Sequence, residues 1–147
     1  MTNNAWTLAR RLAATAATLW LMAGSAGANA EMLKFKASLA GASEVPANSE
    51  KGTGEATLDF DSATKSLTWT VTYSGLTGPA TVAHIHGSAA VGANAPPIIP
   101  FPNVASPIKG TATLTDAQVT SLMSGMLYVN VHTAAHGPGE IRGQIVR

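Results

Sequence analysis

The chain has 147 residues, of which 46% are hydrophobic and only 12% are charged, and it contains no cysteine. A chain of this size fits one domain with a modest core, and without cysteine it forms neither a disulfide framework nor a thiolate metal site. The formal net charge is +1, which argues against nucleic acid or an anionic membrane as a partner because the sequence has no basic cluster.

The first thirty residues have the pattern of a secretory signal peptide. Arg10 and Arg11 precede the uncharged run LAATAATLWLMAG, which is short for a membrane span. Ala28 and Ala30 form a small-x-small cleavage signature. We therefore predict a signal peptide over residues 1–30, a periplasmic or secreted protein, and no membrane span after cleavage. A retained membrane anchor is the alternative, and the paired arginines do not decide between the general and the twin-arginine export routes.

The remaining residues, 31–147, consist of short alternating segments separated by turn residues. Alternation of apolar and polar side chains with a period of two is typical of half-buried strands. It predicts strands in LKFKASLAG (33–41), GEATLDFD (54–61), SLTWTVTYSG (66–75), TVAHIHG (81–87), KGTATL (109–114), MLYVNVHT (126–133) and EIRGQIVR (140–147). The polar SATK (62–65) predicts a hairpin turn between the second and third strands.

Two segments depart from this alternation. Residues 87–108 hold five of the eight prolines and predict a long loop without a strand, a kind of segment that is usually functional or disordered.

Residues 113–125 predict one short helix, because Thr115 and Gln118 have the spacing of a capping box and Gly125 supplies a stop. Many strands and a single helix predict an all-β fold, either an antiparallel β-sandwich or a partly closed barrel.

Strand alternation also predicts a polar outer face. His84 and His86 share one face of their strand, and His132 has the same outward parity on another strand. Glu140 and Arg142 alternate in the same way on the last strand. If these strands are neighbours, one outer face collects all five side chains.

Two histidines at positions i and i+2 on a strand suit a metal ion. Their Cα atoms lie roughly 6.5–7 Å apart, so both rings can reach one ion at about 2 Å. A third ligand from His132 or His136 gives an all-nitrogen site suited to copper or zinc. The alternative is a hydrogen-bonded cluster of neutral imidazoles without metal. No nucleophile elbow or phosphate loop is present, so no catalytic residue is predicted.

The last strand predicts a structural clamp as well. Arg142 carries a planar fork that can hold a carboxylate in a bidentate pair. Glu140 stands two residues before it, and the segment EVP supplies Glu44 as a second acid. We expect Arg142 to be partly buried against one of these two carboxylates.

The chain resembles the CHRD domain family, which is named after its occurrence in chordin and is widespread in bacterial exported proteins. The resemblance covers nearly all of residues 33–147 and is carried by ASEVP (42–46), LTWTVTYSGLTG (67–78), AHIHG (83–87), TLTDAQVTSLMSGMLYVNVHT (113–133) and GEIRGQI (139–145). The chain reads HGPGEIRG where the common pattern resembles HPGGEIRG, which changes the turn before Glu140. The resemblance implies an immunoglobulin-like or superoxide-dismutase-like β-sandwich, and it implies no particular reaction.

Two function classes follow. The first is an exported domain that binds copper or zinc through His84, His86, His132 and His136. The second is a non-catalytic extracellular or periplasmic interaction or structural module, with an unknown protein partner and no metal. A superoxide dismutase is the least favoured: the His-x-His strand resembles the copper strand of copper/zinc superoxide dismutases, but the chain lacks their cysteine pair. The sequence does not decide the oligomeric state.

Overall fold

A computed structural model describes residues 30–147 of the chain. The predicted signal peptide therefore lies outside the described residues, apart from Ala30. Within the described range the strands are β1 (Met32–Ala40), β2 (Thr53–Asp61), β3 (Ser66–Ser74), β4 (Ala80–His86), β5 (Pro97–Pro100), β6 (Ile108–Thr113), β7 (Tyr128–Thr133) and β8 (Ile141–Gln144). A 3₁₀ turn spans Gly41–Ser43, and helix α1 spans Asp116–Met123.

All eight strands join one antiparallel sheet in the order β5-β4-β7-β8-β1-β2-β3-β6. The sheet curls until its two ends approach each other. Trp69 of β3 stacks on Phe101, which follows β5, with 4.9 Å between ring centroids. The result is a nearly barrel-like sandwich, which confirms the predicted all-β antiparallel fold with one short helix.

The core lies inside this curled sheet because the apolar positions of every long strand face the same way. Along β1, for example, buried and exposed residues alternate from Met32 to Leu39. The core-facing apolar positions of β4 and β7 are Ala83, Ile85, Val129 and Val131, and none of them is more than 1% exposed. A slip of one residue in either strand turns these side chains outward, so burial fixes the register.

The single helix forms where the capping signals predicted it. Thr115 accepts a hydrogen bond from the backbone N–H of Gln118, and the Gln118 side chain accepts one from the N–H of Thr115. After the helix, Gly125 adopts a φ of 67°, which glycine permits without strain. No helix among the described residues is long and apolar enough to cross a membrane.

The prediction of a strandless loop over residues 87–108 was wrong at one point. Pro97–Pro100 forms β5, an edge strand in which Ile99 pairs with Ile85 of β4. The prolines of this segment argued against a strand in the sequence, because proline lacks the N–H that a sheet ladder requires. Proline is tolerated in β5 because β5 is an edge strand, with one side unpaired. The strand brings residues 87–96 back across the end of β4, which is where the site lies.

Candidate metal centre

Three histidines converge on the outer face of β4 and β7. These strands are antiparallel neighbours, in which Val82 lies opposite His132 and His84 lies opposite Asn130. His86 follows His84 on the same face. The register therefore places His84, His86 and His132 together, and we call these three residues the histidine triad.

One ring nitrogen from each member of the triad lies within 4.8 Å of the other two. Nδ1 of His84 is 3.3 Å from Nε2 of His132. A tetrahedral ion with bonds of about 2.0–2.1 Å requires its nitrogen ligands to be about 3.4 Å apart. One edge of the triad already has that length, and the others exceed it by at most about 1.4 Å, so small ring movements complete the site.

Backbone carbonyls fix the orientation of two of the rings. Nδ1 of His86 lies 2.8 Å from the carbonyl oxygen of Ala95, and Nδ1 of His132 lies 2.8 Å from that of Gly137. A carbonyl oxygen can only accept, so each Nδ1 carries the proton and each Nε2 keeps its lone pair. Metal-binding histidines commonly show this arrangement, in which the second nitrogen donates to a carbonyl or a carboxylate.

The Nε2 atom of His86 is buried and has no hydrogen-bond partner among the described residues. A buried polar atom without a partner is costly. His86 is one of the three converging histidines, and a cation bound between them would satisfy this lone pair.

Two members of the triad, His84 and His86, have lowered pKa values. Burial lowers the pKa of His84 below its usual 6.5, and the neighbouring His132 and His86 lower it further. Burial also lowers the pKa of His86, and it outweighs the hydrogen bond to the Ala95 carbonyl, which raises that pKa. His132 and Arg142 lower it further. Neutral imidazole is the form that binds a metal, so both side chains are ready to bind at neutral pH.

Tyr128 and Arg142 support the triad from the other side. Because β7 lies between β4 and β8, the Tyr128 ring has His86 on one side and Arg142 on the other. The His86 and Tyr128 rings are nearly parallel, with centroids 4.8 Å apart. Cζ of Arg142 lies 3.4 Å from the centroid of the Tyr128 ring. The stack limits how far the His86 ring can turn.

A short segment, Ala93–Ala95, forms a wall beside this stack. The Ala95 carbonyl accepts from both His86 and the Tyr128 hydroxyl. Arg142 donates to Asn94 Oδ1 at 3.1 Å and to the Ala93 carbonyl at 2.8 Å. Sequence analysis missed these groups, since a backbone carbonyl carries no residue signature. Tyr128 could have been found, because it shares the outward parity of His132.

The predicted clamp has different partners from those expected. Among the described residues no ion pair within 4.0 Å joins Arg142 to Glu44 or Glu140. Arg142 is nonetheless only 1% exposed, held by the Asn94 and Ala93 oxygens and by Tyr128. Arg142 therefore makes a cation–π contact with Tyr128 and hydrogen bonds to the uncharged oxygens of Asn94 and Ala93, where an ion pair with a carboxylate was expected.

Glu140 does not lie on the histidine face. Its carboxylate accepts hydrogen bonds from the Thr77 N–H at 2.7 Å, the Thr77 hydroxyl at 2.6 Å and the Thr133 hydroxyl at 2.5 Å. Glu140 precedes β8, directly after Gly139 with a φ of 139°, so strand alternation does not extend to it. Burial opposes its ionisation, but the bonds from Thr133 and Thr77 outweigh burial and lower the pKa of the carboxyl.

Glu44 and His136 are not members of the triad. Glu44 is buried and its Oε1 has no partner in the described residues. Burial raises the pKa of this carboxyl to about 7 against the attraction of Arg142. Nε2 of His136 lies 3.3 Å from Glu50, and His136 is not one of the three converging histidines. The structure thus brings together three of the four histidines considered from sequence.

The family model described as CHRD domain matches residues 35–145 of the chain. The match covers most of the chain, including every member of the triad, so the chain belongs to the CHRD domain family. No curated protein shows a significant match, and neither does any solved structure.

Proposed function

We propose that this CHRD domain binds one copper or zinc ion through Nδ1 of His84 and the Nε2 atoms of His86 and His132. One observation carries the proposal above the others. His86 Nε2 is buried and lacks a hydrogen-bond partner among the described residues, and His86 belongs to a group of three histidines that each offer a ring nitrogen within 4.8 Å of the others.

The ligand set supports this choice of metals. Imidazole suits copper and zinc, whereas magnesium and calcium require oxygen ligands. Three protein ligands leave room for a fourth from solvent or from a partner. His84 is the least buried of the three side chains, so ligand exchange takes place on its side. A site of this kind suits storage or delivery of a metal ion, and no neighbouring group is assigned to catalysis.

We also propose that the protein is exported, on the basis of the signal-peptide pattern in residues 1–30. A periplasmic or extracellular domain meets metal ions outside the cytoplasm. N-terminal sequencing of the exported protein tests this separately, with Glu31 as the expected first residue. A mature protein that still carries residues 12–24 contradicts it.

The metal proposal is tested by titrating the metal-free protein with Zn(II) and with Cu(II) in a calorimeter. We expect one equivalent to bind, and we expect His86→Ala and His132→Ala each to weaken binding by a hundredfold or more. His136→Ala is the matched control, because it removes an imidazole that lies outside the triad. Equal binding by all four proteins contradicts the proposal.

A second candidate function is a metal-free interaction module. Most ring nitrogens of the triad have a hydrogen-bond partner without an ion. His84 and His132 contact each other at 3.3 Å, and His86 and His132 each donate to a backbone carbonyl. Val82, which is 44% exposed beside the triad, then offers an apolar contact for a protein partner. Absence of any metal binding in the titration favours this alternative.

A further inference from the structure

Arg142 places a positive charge beside the histidine triad. The three ligands are neutral imidazoles, so they offset none of the charge of a bound ion. Arg142 is the fixed charge that acts on His86, while no carboxylate acts on His84 or His86 from the described residues. A metal ion bound here therefore meets the positive charge of Arg142.

Arg142 is held firmly in that position. It is 1% exposed, it donates to the Asn94 and Ala93 oxygens, and it lies 3.4 Å over the ring of Tyr128. Tyr128 in turn stacks on His86 at 4.8 Å. Only one flat ring thus separates the guanidinium from a ligand, and burial weakens the screening of its charge by solvent.

Glu44, a carboxyl group that interacts electrostatically with Arg142, does not fully cancel this charge. Glu44 makes no ion pair with Arg142 within 4.0 Å among the described residues. The two side chains nevertheless interact electrostatically, because Arg142 lowers the pKa of Glu44. The carboxyl of Glu44 has a pKa of about 7, so it is about half ionised at neutral pH. A net positive field remains at the triad.

We propose that Arg142 makes the histidine triad prefer monovalent copper to zinc. The proposal rests on the metal-binding function proposed above and names the ion. Repulsion by Arg142 grows with the charge of the bound ion, and Zn(II) carries twice the charge of Cu(I). Arg142 touches neither ion and is a specificity-determining residue.

The experiment measures the Cu(I) and Zn(II) affinities of the protein by competition with chelators of known affinity, without oxygen in the Cu(I) assay. Arg142→Gln removes the charge, and Arg142→Lys keeps it. We expect Arg142→Gln to shift the ratio of the two affinities toward Zn(II) by about tenfold or more, while Arg142→Lys retains the wild-type ratio. Lys36→Gln removes an exposed charge on β1 and leaves the ratio unchanged.

The outcomes separate this proposal from the function on which it rests. A wild-type protein that binds neither ion overturns both. A wild-type protein that binds both ions, with the same ratio in Arg142→Gln and Arg142→Lys, overturns the role of Arg142 alone. Circular dichroism checks the fold of each variant. If Arg142→Gln does not fold, the wild-type protein still decides: retention of Zn(II) against equimolar Cu(I) contradicts the proposal.

Discussion

Nδ1 of His84 lies 3.3 Å from Nε2 of His132, although 48 residues separate the two along the chain. The contact follows from the antiparallel register of β4 and β7, which sets Asn130 opposite His84 and places His132 diagonally beside it. Both atoms are ligand positions of the proposed metal centre. The approach of these two nitrogens is therefore a property of the sheet, and substitutions that disturb this register are expected to disturb binding.

Metal affinity should depend on pH in a defined way. The pKa values of His84 and His86 are lowered from 6.5, first by burial, so protons compete weakly with the metal at neutral pH. We expect the Zn(II) affinity to stay nearly constant from pH 8 to 7 and to fall only below pH 6.5. Calorimetric titrations at several pH values check this. A steep fall that begins above pH 7 contradicts the assigned protonation states.

Gly139→Ala should destabilise the domain, and Gly137→Ala should not. Gly139 has a φ of 139°, and a Cβ there lies 2.5 Å from Glu44 Oε1 and 2.6 Å from Asn130 Nδ2. No atom lies within 4 Å of a Cβ at Gly137. We expect the first variant to lose about 2 kcal/mol or more of unfolding free energy. Urea denaturation of both variants tests the difference, and equal stabilities contradict it.

Glu44 should make stability fall as pH rises. Its pKa is raised by burial from 4.5 to about 7, so its favourable contribution is complete below pH 4.5 and is lost as pH rises through 7. Glu44→Gln keeps the shape of the neutral acid. We expect it to match the wild type in unfolding free energy at pH 5 and to exceed it at pH 8. A variant that is equally destabilised at both pH values contradicts this account.

Glu140 should have the opposite dependence. Hydrogen bonds from Thr133 and Thr77 lower its pKa in spite of burial, so its contribution is present above pH 4.5 and is lost as pH falls through the lowered pKa. We expect Glu140→Ala to reduce the unfolding free energy at pH 7 by about 3 kcal/mol. Glu55→Ala, at an exposed position on β2, is the control. A loss no larger than that of Glu55→Ala contradicts the prediction.

The sequence predicted the fold well because its strands alternate cleanly and its helix carries a capping box. The same alternation correctly placed His84, His86 and His132 on one outer face. Alternation wrongly predicted that Glu140 lies on the same face, because Gly139, which has a positive φ, interrupts the strand before it. It also did not predict β5, because the prolines of this edge strand are untypical of strands. The Ala95 and Gly137 carbonyls that orient the rings could not be predicted, since the contacts depend on loop conformation and any residue type supplies a carbonyl.

The central claim is that three specific nitrogen atoms bind one metal ion, and nitrogen NMR of the histidine side chains tests it most directly. In the metal-free protein labelled with ¹⁵N, we expect His86 and His132 to carry their proton on Nδ1. Addition of one equivalent of Zn(II) should then shift Nε2 of His86, Nε2 of His132 and Nδ1 of His84, and should leave His136 unchanged. Zn(II) that shifts His136, or that leaves Nε2 of His86 where it was, contradicts the account.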